Sequence, residues 1–155
     1  MSFVIGDTGT FAIELASRDE LCNKIGRMRI WLGGKHIGTF DDTSIYSLVW
    51  QQLDNVLAKK LDLNKFGFAG ARQIYDEIKS GEIDESGRYF LSLGDSFDDF
   101  SVIALRNDDE IIVIWELLDD HFFEYEDYPL GLQCSTISVI YFSSVLSEFK
   151  ALLPG

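Results

Sequence analysis

Paired carboxylates are the groups in this sequence whose type and spacing could do chemistry, because one acid can donate a proton while another accepts one. The nearest candidate pairs are Asp98 with Asp99 and Glu116 with Asp119. Neighbouring residues of a strand point to opposite faces, and nothing in the spacing brings two carboxylates to the separation that a substrate requires. The pattern therefore argues against catalysis by these pairs. A small hydrolase that uses clustered carboxylates remains an alternative, ranked below the two protein-binding functions given at the end of this section.

Metal and nucleophile chemistry find no support in the residue spacing. The segment GDSFDDF, residues 94–100, lacks the alternate acids, central glycine and closing glutamate of a calcium loop. His36 and His121 are the only histidines, and their separation predicts two surface histidines rather than a zinc site or a catalytic triad. The glycines of GDTGT and GGKHIG predict turns rather than nucleotide sites. We therefore expect no metal and no cofactor.

The two cysteines predict no special chemistry. Cys22 and Cys134 are too few for a disulfide framework and do not have metal-ligand spacing. Free cysteines are commonly buried in protein cores. We therefore expect two reduced, mostly buried thiols.

Aromatic residues alternate loosely with acids in LDDHFFEYEDYPL, residues 118–130. Protein interfaces concentrate binding energy in aromatic side chains, while charges at the rim set orientation and encounter rate. We therefore predict that residues 95–128 build a protein-binding surface; the alternative is an ordinary loop whose aromatics cover the edge of the core. The predicted charged contacts are Asp98, Asp99, Asp119, Asp120, Glu124, Glu126 and Asp127, and the predicted apolar anchors are Phe122, Tyr125 and Tyr128.

The negative charge of the chain is confined to its second half. The formal net charge is -13, yet residues 1–80 contain ten acids and ten Lys or Arg, whereas residues 81–155 contain sixteen acids and three cations. Nucleic acids and anionic membranes attract basic proteins, so neither is an expected partner. A strongly negative surface instead attracts a cationic protein through long-range steering. The alternative is that the charge only maintains solubility.

Hydrophobic periodicity predicts the elements that must position these acids. Short strands are predicted at residues 3–5 and 11–15, and Gly33-Gly34 predicts a tight hairpin between RMRIWL and KHIGTF. Counting outward from that turn pairs Ile30 with Ile37 in the core and Trp31 with His36 on the opposite face. Helical spacing predicts helices over residues 43–61, 70–80 and 143–153.

The segment FDDFSVIALRNDDEIIVIWEL, residues 97–117, predicts a second hairpin that turns at NDD, with arms at 102–105 and 111–117. Arms without polar alternation are typical of strands that are covered on both faces. The segment STISVIYF, residues 135–142, predicts another strand. Because strands form adjacent hairpins, the predicted fold is α+β: one domain over residues 1–155, with an antiparallel or mixed sheet and about three helices packed mainly on one face.

The beginning of the chain lacks the features of a secretory signal, and no apolar run approaches the roughly 20 residues that span a bilayer. A cytoplasmic protein is therefore expected. With 46% apolar residues and 14% aromatic residues, the chain has enough apolar surface for one compact core.

Three segments resemble those of bacterial immunity proteins that neutralise polymorphic toxins, including the toxins of contact-dependent growth inhibition. They are GDTGTFAIE, the GGKHIG hairpin with the helix that follows it, and above all FDDFSVIALRNDDEIIVIWEL. The resemblance implies a small, non-enzymatic cytoplasmic antidote that binds the C-terminal domain of a cognate toxin. Such toxins are often nucleases with basic clefts, which an acidic antidote can occupy. The alternative function is a cytoplasmic scaffold or regulatory interaction domain whose acidic face serves solubility.

Overall fold

The first half of the chain forms one antiparallel sheet and a small ribbon. The computed structural model describes residues 2–63, 70–81 and 86–154. The first six strands are β1 (Phe3–Asp7), β2 (Phe11–Leu15), β3 (Ile25–Gly26), β4 (Met28–Leu32), β5 (Lys35–Ile37) and β6 (Ser44–Ile45). The sheet has the order β1-β2-β4-β5, and β3 pairs with β6. The predicted hairpin register is confirmed, because Ile30 pairs with Ile37 and Trp31 pairs with His36.

A second antiparallel sheet contains β7 (Phe100–Asn107), β8 (Glu110–Leu117) and β9 (Gln133–Ser138), with β8 in the centre. The predicted hairpin is confirmed, and its arms run from the Phe100–Leu117 pair to the Asn107–Glu110 pair. Asp108 adopts a φ of 53° at the turn. This left-handed conformation is one that aspartate tolerates better than most residues do.

Three helices are seen in the described residues: α1 (Tyr46–Asn55), α2 (Ala71–Ser80) and α3 (Val139–Leu152). The predicted helix at 43–61 is shorter than expected, because Ser44 and Ile45 pair with β3 and a 3₁₀ turn follows at Val56–Ala58. Helix α2 ends as predicted at Gly81, which has a φ of 81°.

The predicted strand over residues 135–142 is wrong in its second half. Ser138 ends β9, and its side chain accepts a hydrogen bond of 3.1 Å from the backbone N–H of Tyr141. A serine in this position caps a helix by satisfying an unpaired N–H of its first turn. Helix α3 therefore starts four residues before the predicted position.

Two apolar clusters cover opposite faces of the β7–β9 sheet. On one face, Val102, Ala104 and Val113 pack with the first sheet and with α1 and α3. On the other face, Ile103 and Ile114 pack with buried residues of α2. This two-sided cover explains why the hairpin arms lack polar alternation. The α+β fold is confirmed, and two of these three helices lie on the same face.

The expectation of mostly buried cysteines is wrong, because Cys22 and Cys134 are both exposed. Cys22 ends the 3₁₀ helix Arg18–Cys22, and Cys134 lies in β9, an edge strand of the second sheet. His121 is exposed as predicted, whereas His36 is half-buried. Among the described residues, no helix is long and apolar enough to cross a membrane.

Candidate partner-binding surface

Two of the acidic segments singled out in the sequence, residues 98–99 and 118–120, meet at the open end of the β7–β8 hairpin, opposite the Asp108 turn. The chain enters β7 just after Asp99 and leaves β8 at Leu117, and the backbone N–H of Leu118 donates a 2.9 Å hydrogen bond to the Asp99 carbonyl. The loop at residues 118–128, which we call the recognition loop, lies at this end. Hairpin pairing thus brings residues 98–99 and 118–120 together.

The ten predicted contact residues divide by exposure into two groups. The exposed group consists of Asp98, Asp119, Asp120, Phe122, Glu124, Glu126 and Asp127. The remaining three are Asp99, which is buried, and Tyr125 and Tyr128, which are half-buried. The second group therefore offers a partner little accessible surface.

Asp99 is hydrogen-bonded to three groups of the recognition loop. Its carboxylate accepts bonds of 2.8 Å from the backbone N–H of Phe122, 2.9 Å from that of Phe123, and 3.1 Å from the Tyr125 hydroxyl. Burial raises the pKa of Asp99, but these donors outweigh it and the net shift is downward. Asp99 is therefore held as a carboxylate.

Asp98, the next residue along the chain, has the opposite environment. Burial raises the pKa of its carboxyl group, and the negative charges of Asp95, Asp99 and Asp42 raise it further. Like charges that lie close together disfavour the ionised form of each group. Asp98 therefore lies in a cluster of acids.

The cluster includes an acid that the sequence did not assign to it. Asp42 belongs to the connection between β5 and β6 and immediately precedes the helix predicted over residues 43–61. Two contacts fix this connection to residues 95–97: the Thr39 N–H donates a 3.1 Å bond to the Ser96 carbonyl, and the Ser44 and Ser96 hydroxyls are hydrogen-bonded. These are tertiary contacts, and no linear pattern signals them.

The rings of Tyr125 and Tyr128 face inward. Phe100 makes edge-to-face contacts with both, at centroid distances of 5.1 and 5.3 Å. The Tyr128 hydroxyl donates a 2.6 Å hydrogen bond to the His36 carbonyl and accepts one of 2.9 Å from the Trp115 indole N–H. Burial raises the pKa of Tyr128 to about 12. Phe122, by contrast, is 84% exposed.

A groove of about 300 Å³ lies between the recognition loop and the β5–β6 connection. Its acidic lining residues are Asp41, Glu124 and Glu126. The lining also contains Arg29, which pairs with Glu14 at 2.7 Å and lies 4.3 Å from the Phe40 ring centroid. The groove therefore joins an acid of the first half of the chain to the recognition loop.

The described acids of the second half concentrate at the two ends of the β7–β8 hairpin. Asp108, Asp109 and Glu110 lie at the turn, roughly 24 Å from the open end for eight-residue strands. The ion pairs found in the described ranges join Arg27 to Glu20, Arg29 to Glu14, and Arg72 to Asp76. None of these pairs uses an acid of residues 86–154. Glu82, Asp84 and Glu85 lie outside the described residues.

One member of the candidate acid pairs, Glu116, has a structural partner. Within residues 2–63, 70–81 and 86–154, no three His, Cys, Asp or Glu side chains are grouped as metal ligands. Glu116 accepts a 3.1 Å hydrogen bond from the Tyr75 hydroxyl of α2. This contact lies on the sheet face that carries α2, and it gives Glu116 a structural partner.

Comparison with known proteins decides the family. The family model described as Immunity protein 42 matches residues 1–152. This chain belongs to the Immunity protein 42 family. Membership assigns the immunity protein a toxin-neutralising role and confirms the resemblance to immunity proteins.

A solved structure supports the same fold. The immunity protein is similar to CdiI from Burkholderia dolosa AUO158, with a TM-score of 0.60 over 96% of this chain and 99% of that chain. The two sequences are 14% identical, so the similarity concerns the fold. No curated protein matches the immunity protein.

Proposed function

We propose that this immunity protein is a non-enzymatic cytoplasmic inhibitor of a polymorphic toxin, of the contact-dependent growth inhibition type. It binds the toxin's C-terminal domain, a nuclease with a basic cleft, through the open end of the β7–β8 hairpin. The observation that carries the proposal is that the recognition loop exposes five acids together with one aromatic ring, that of Phe122. Family membership supports the role, and the charge distribution supports the chemistry of the partner.

Electrostatic attraction accounts for the charged part of this surface. Complementary charges steer two proteins together and raise the association rate constant above the value for neutral surfaces. The exposed carboxylates of Asp119, Glu124 and Glu126 are placed to do so. Attraction between these carboxylates and cations of the toxin favours the complex.

Phe122 accounts for the apolar part. Its ring is 84% exposed in the free protein, and burying a phenylalanine side chain contributes about 1.5–3 kcal/mol. Binding energy in interfaces concentrates in such central apolar residues, while surrounding polar residues exclude water. Phe122 therefore supplies the apolar anchor, and the acids around it form the rim.

The experiment uses the toxin encoded beside the immunity gene. Its C-terminal domain is co-expressed with the wild-type protein or with a variant that carries Asp119→Lys, Glu124→Lys and Glu126→Lys. The matched control carries Asp109→Lys, Glu110→Lys and Glu148→Lys, which changes the net charge equally at exposed residues outside the recognition loop and leaves the left-handed Asp108 in place. The proposal expects loss of protection in the first variant and retained protection in the control. Equal protection by both variants would contradict the proposed surface.

Titration separates an inhibitor from an enzyme. A stoichiometric inhibitor reaches full inhibition of the purified toxin domain at one equivalent, because each antidote molecule is retained in a complex. An enzyme that modifies the toxin acts well below one equivalent. Complete inhibition at a small fraction of an equivalent would overturn the non-enzymatic part of the proposal.

A further inference from the structure

We propose that Asp99 is a positioning residue that holds the recognition loop in its binding-ready shape before the toxin arrives, while its neighbour Asp98 acts through charge. This inference rests on the proposed function, and it assigns different roles to two aspartates that are adjacent in the chain. Phe122 is the residue that Asp99 positions.

The recognition loop is fixed to the body of the protein at two points. Near its start, the Asp99 carboxylate accepts three hydrogen bonds, from Phe122, Phe123 and Tyr125. At its end, the Tyr128 hydroxyl is bonded to the His36 carbonyl and to the Trp115 indole N–H. Asp99 precedes β7 in the second sheet, and His36 belongs to β5 of the first sheet. The loop therefore has little freedom to rearrange.

The Asp99 carboxylate also determines which phenylalanine faces the solvent. It accepts the N–H groups of both Phe122 and Phe123, so the backbone direction at these two residues is fixed. In this conformation Phe122 is 84% exposed, whereas Phe123 is half-buried and contacts the Phe122 ring edge-to-face at 5.0 Å. Without the carboxylate as acceptor, either ring could turn outward.

Preorganisation of this kind changes the lifetime of a complex. A loop that is already ordered loses less conformational entropy on binding, so a partner dissociates more slowly from it than from a mobile loop. Removing an exposed charge instead slows the encounter, because steering acts on the association rate. An Asp→Asn change is therefore expected to slow association at Asp98 and to speed dissociation at Asp99.

The test compares Asp99→Asn with Asp98→Asn, each of which removes one negative charge. Binding to the cognate toxin domain is followed by stopped-flow or surface kinetics. Asp98→Asn is expected to lower the association rate constant and to leave the dissociation rate constant within about twofold of wild type. Asp99→Asn is expected to raise the dissociation rate constant about tenfold, which corresponds to about 1.4 kcal/mol. Equal effects of both variants on association, with unchanged dissociation, would overturn the inference.

Hydrogen exchange tests the positioning role without the toxin. The Phe122 and Phe123 amides are expected to exchange slowly in the wild-type protein and in Asp98→Asn, and at least about tenfold faster in Asp99→Asn. Amides of β8 serve as an internal reference, because global destabilisation would accelerate them as well. Unchanged exchange at Phe122 and Phe123 in Asp99→Asn would overturn the inference. Since no toxin is needed, this result stands even when the binding surface itself is wrong.

Tyr125→Phe keeps the inference testable when Asp99→Asn does not fold. It removes one of the three bonds to Asp99 and leaves every charge in place. The expected result is a dissociation rate constant several-fold above that of wild type, an unchanged dependence of association on salt, and faster exchange at Phe122 and Phe123. Wild-type dissociation and exchange in this variant would contradict the positioning role.

Discussion

The Tyr128 hydroxyl donates a 2.6 Å hydrogen bond to the backbone carbonyl of His36, and this contact joins the recognition loop to the edge strand of the first sheet. The same hydroxyl accepts the Trp115 indole N–H from β8. One oxygen atom thus connects the loop, the first sheet and the second sheet. The position of the acidic surface depends on this connection as well as on Asp99.

Tyr128→Phe should destabilise the fold by about 1–3 kcal/mol, because it leaves the buried Trp115 N–H and the His36 carbonyl without this partner. Urea denaturation at neutral pH measures the change in the free energy of unfolding. Tyr141→Phe is the control: it removes a 2.7 Å bond from the exposed Asp7 N–H, so water can replace the lost acceptor. A smaller loss for Tyr128→Phe than for Tyr141→Phe would show that the connection is weak.

Asp98→Asn and Asp99→Asn should change stability in opposite directions at neutral pH. The pKa of Asp98 is raised by burial and by neighbouring acids, so its charged form is disfavoured in the folded state and neutralising it stabilises the fold. The pKa of Asp99 is lowered because its three hydrogen bonds outweigh burial, so losing its charge destabilises the fold. Thermal unfolding of both variants beside wild type tests the signs, and shifts in the same direction would refute the assignment.

Protonation of Asp99 in acid should lower the free energy of unfolding. A lowered folded-state pKa contributes stability that is fully present above the unfolded value of about 4 and is lost as the pH falls through the folded value. The free energy of unfolding of wild type should therefore fall more steeply below pH 4 than that of Asp99→Asn. Denaturation curves at a series of acid pH values measure this difference. Parallel curves would contradict the assigned role of the carboxylate.

His36 should make the fold less stable in mild acid. Burial lowers the pKa of its imidazole from 6.5, and the Arg29 charge lowers it further. Between the folded and unfolded pKa values the unfolded chain binds more protons, so the free energy of unfolding falls as the pH drops below 6.5. NMR titration of the His36 ring measures the folded value. In His36→Gln, the free energy of unfolding should depend less on pH in this range. An unchanged pH dependence would show that a group other than His36 causes the loss of stability.

Gly38→Ala should be more destabilising than Gly34→Ala. Both glycines have positive φ, 93° and 85°, so each alanine incurs a similar backbone penalty of about 1–2 kcal/mol. A Cβ at Gly38 would lie 2.7 Å from the buried Phe97 ring, whereas one at Gly34 meets nothing within 4 Å. Overpacking adds about 1–3 kcal/mol at Gly38. An equal loss of unfolding free energy in the two variants, measured by urea denaturation, would show that the Phe97 ring accommodates the added Cβ without an energetic penalty.

Much of the fold could be predicted from the sequence, because turn residues and side-chain periodicity determine local pairing. Gly33-Gly34 fixed the register of Ile30 with Ile37, and Gly81 marked the end of α2. The start of α3 could not be predicted as well, since residues 139–142 are as compatible with a strand as with a helix. The Ser138 cap resolves that ambiguity in favour of the helix.

The location of the candidate site could be predicted from the sequence, but the roles and exposure of its individual side chains could not. A hairpin between residues 100 and 117 necessarily brings the acids on either side of it together. Asp98 and Asp99 look identical in the sequence, and only the tertiary structure shows that one meets N–H donors and the other meets carboxylates. For the same reason Phe122 could not be separated from the inward-facing Tyr125 and Tyr128.

The salt dependence of toxin association tests the central claim most directly. The association rate constant of the wild-type protein with the cognate toxin domain is measured at low and high ionic strength, beside the two charge-reversal variants. Steering by the acidic surface predicts a fall of at least about tenfold for wild type and for the matched control variant, because salt screens attraction between exposed charges. It predicts slow, nearly salt-independent association for Asp119→Lys, Glu124→Lys and Glu126→Lys combined. Salt-independent association of the wild type would contradict the account.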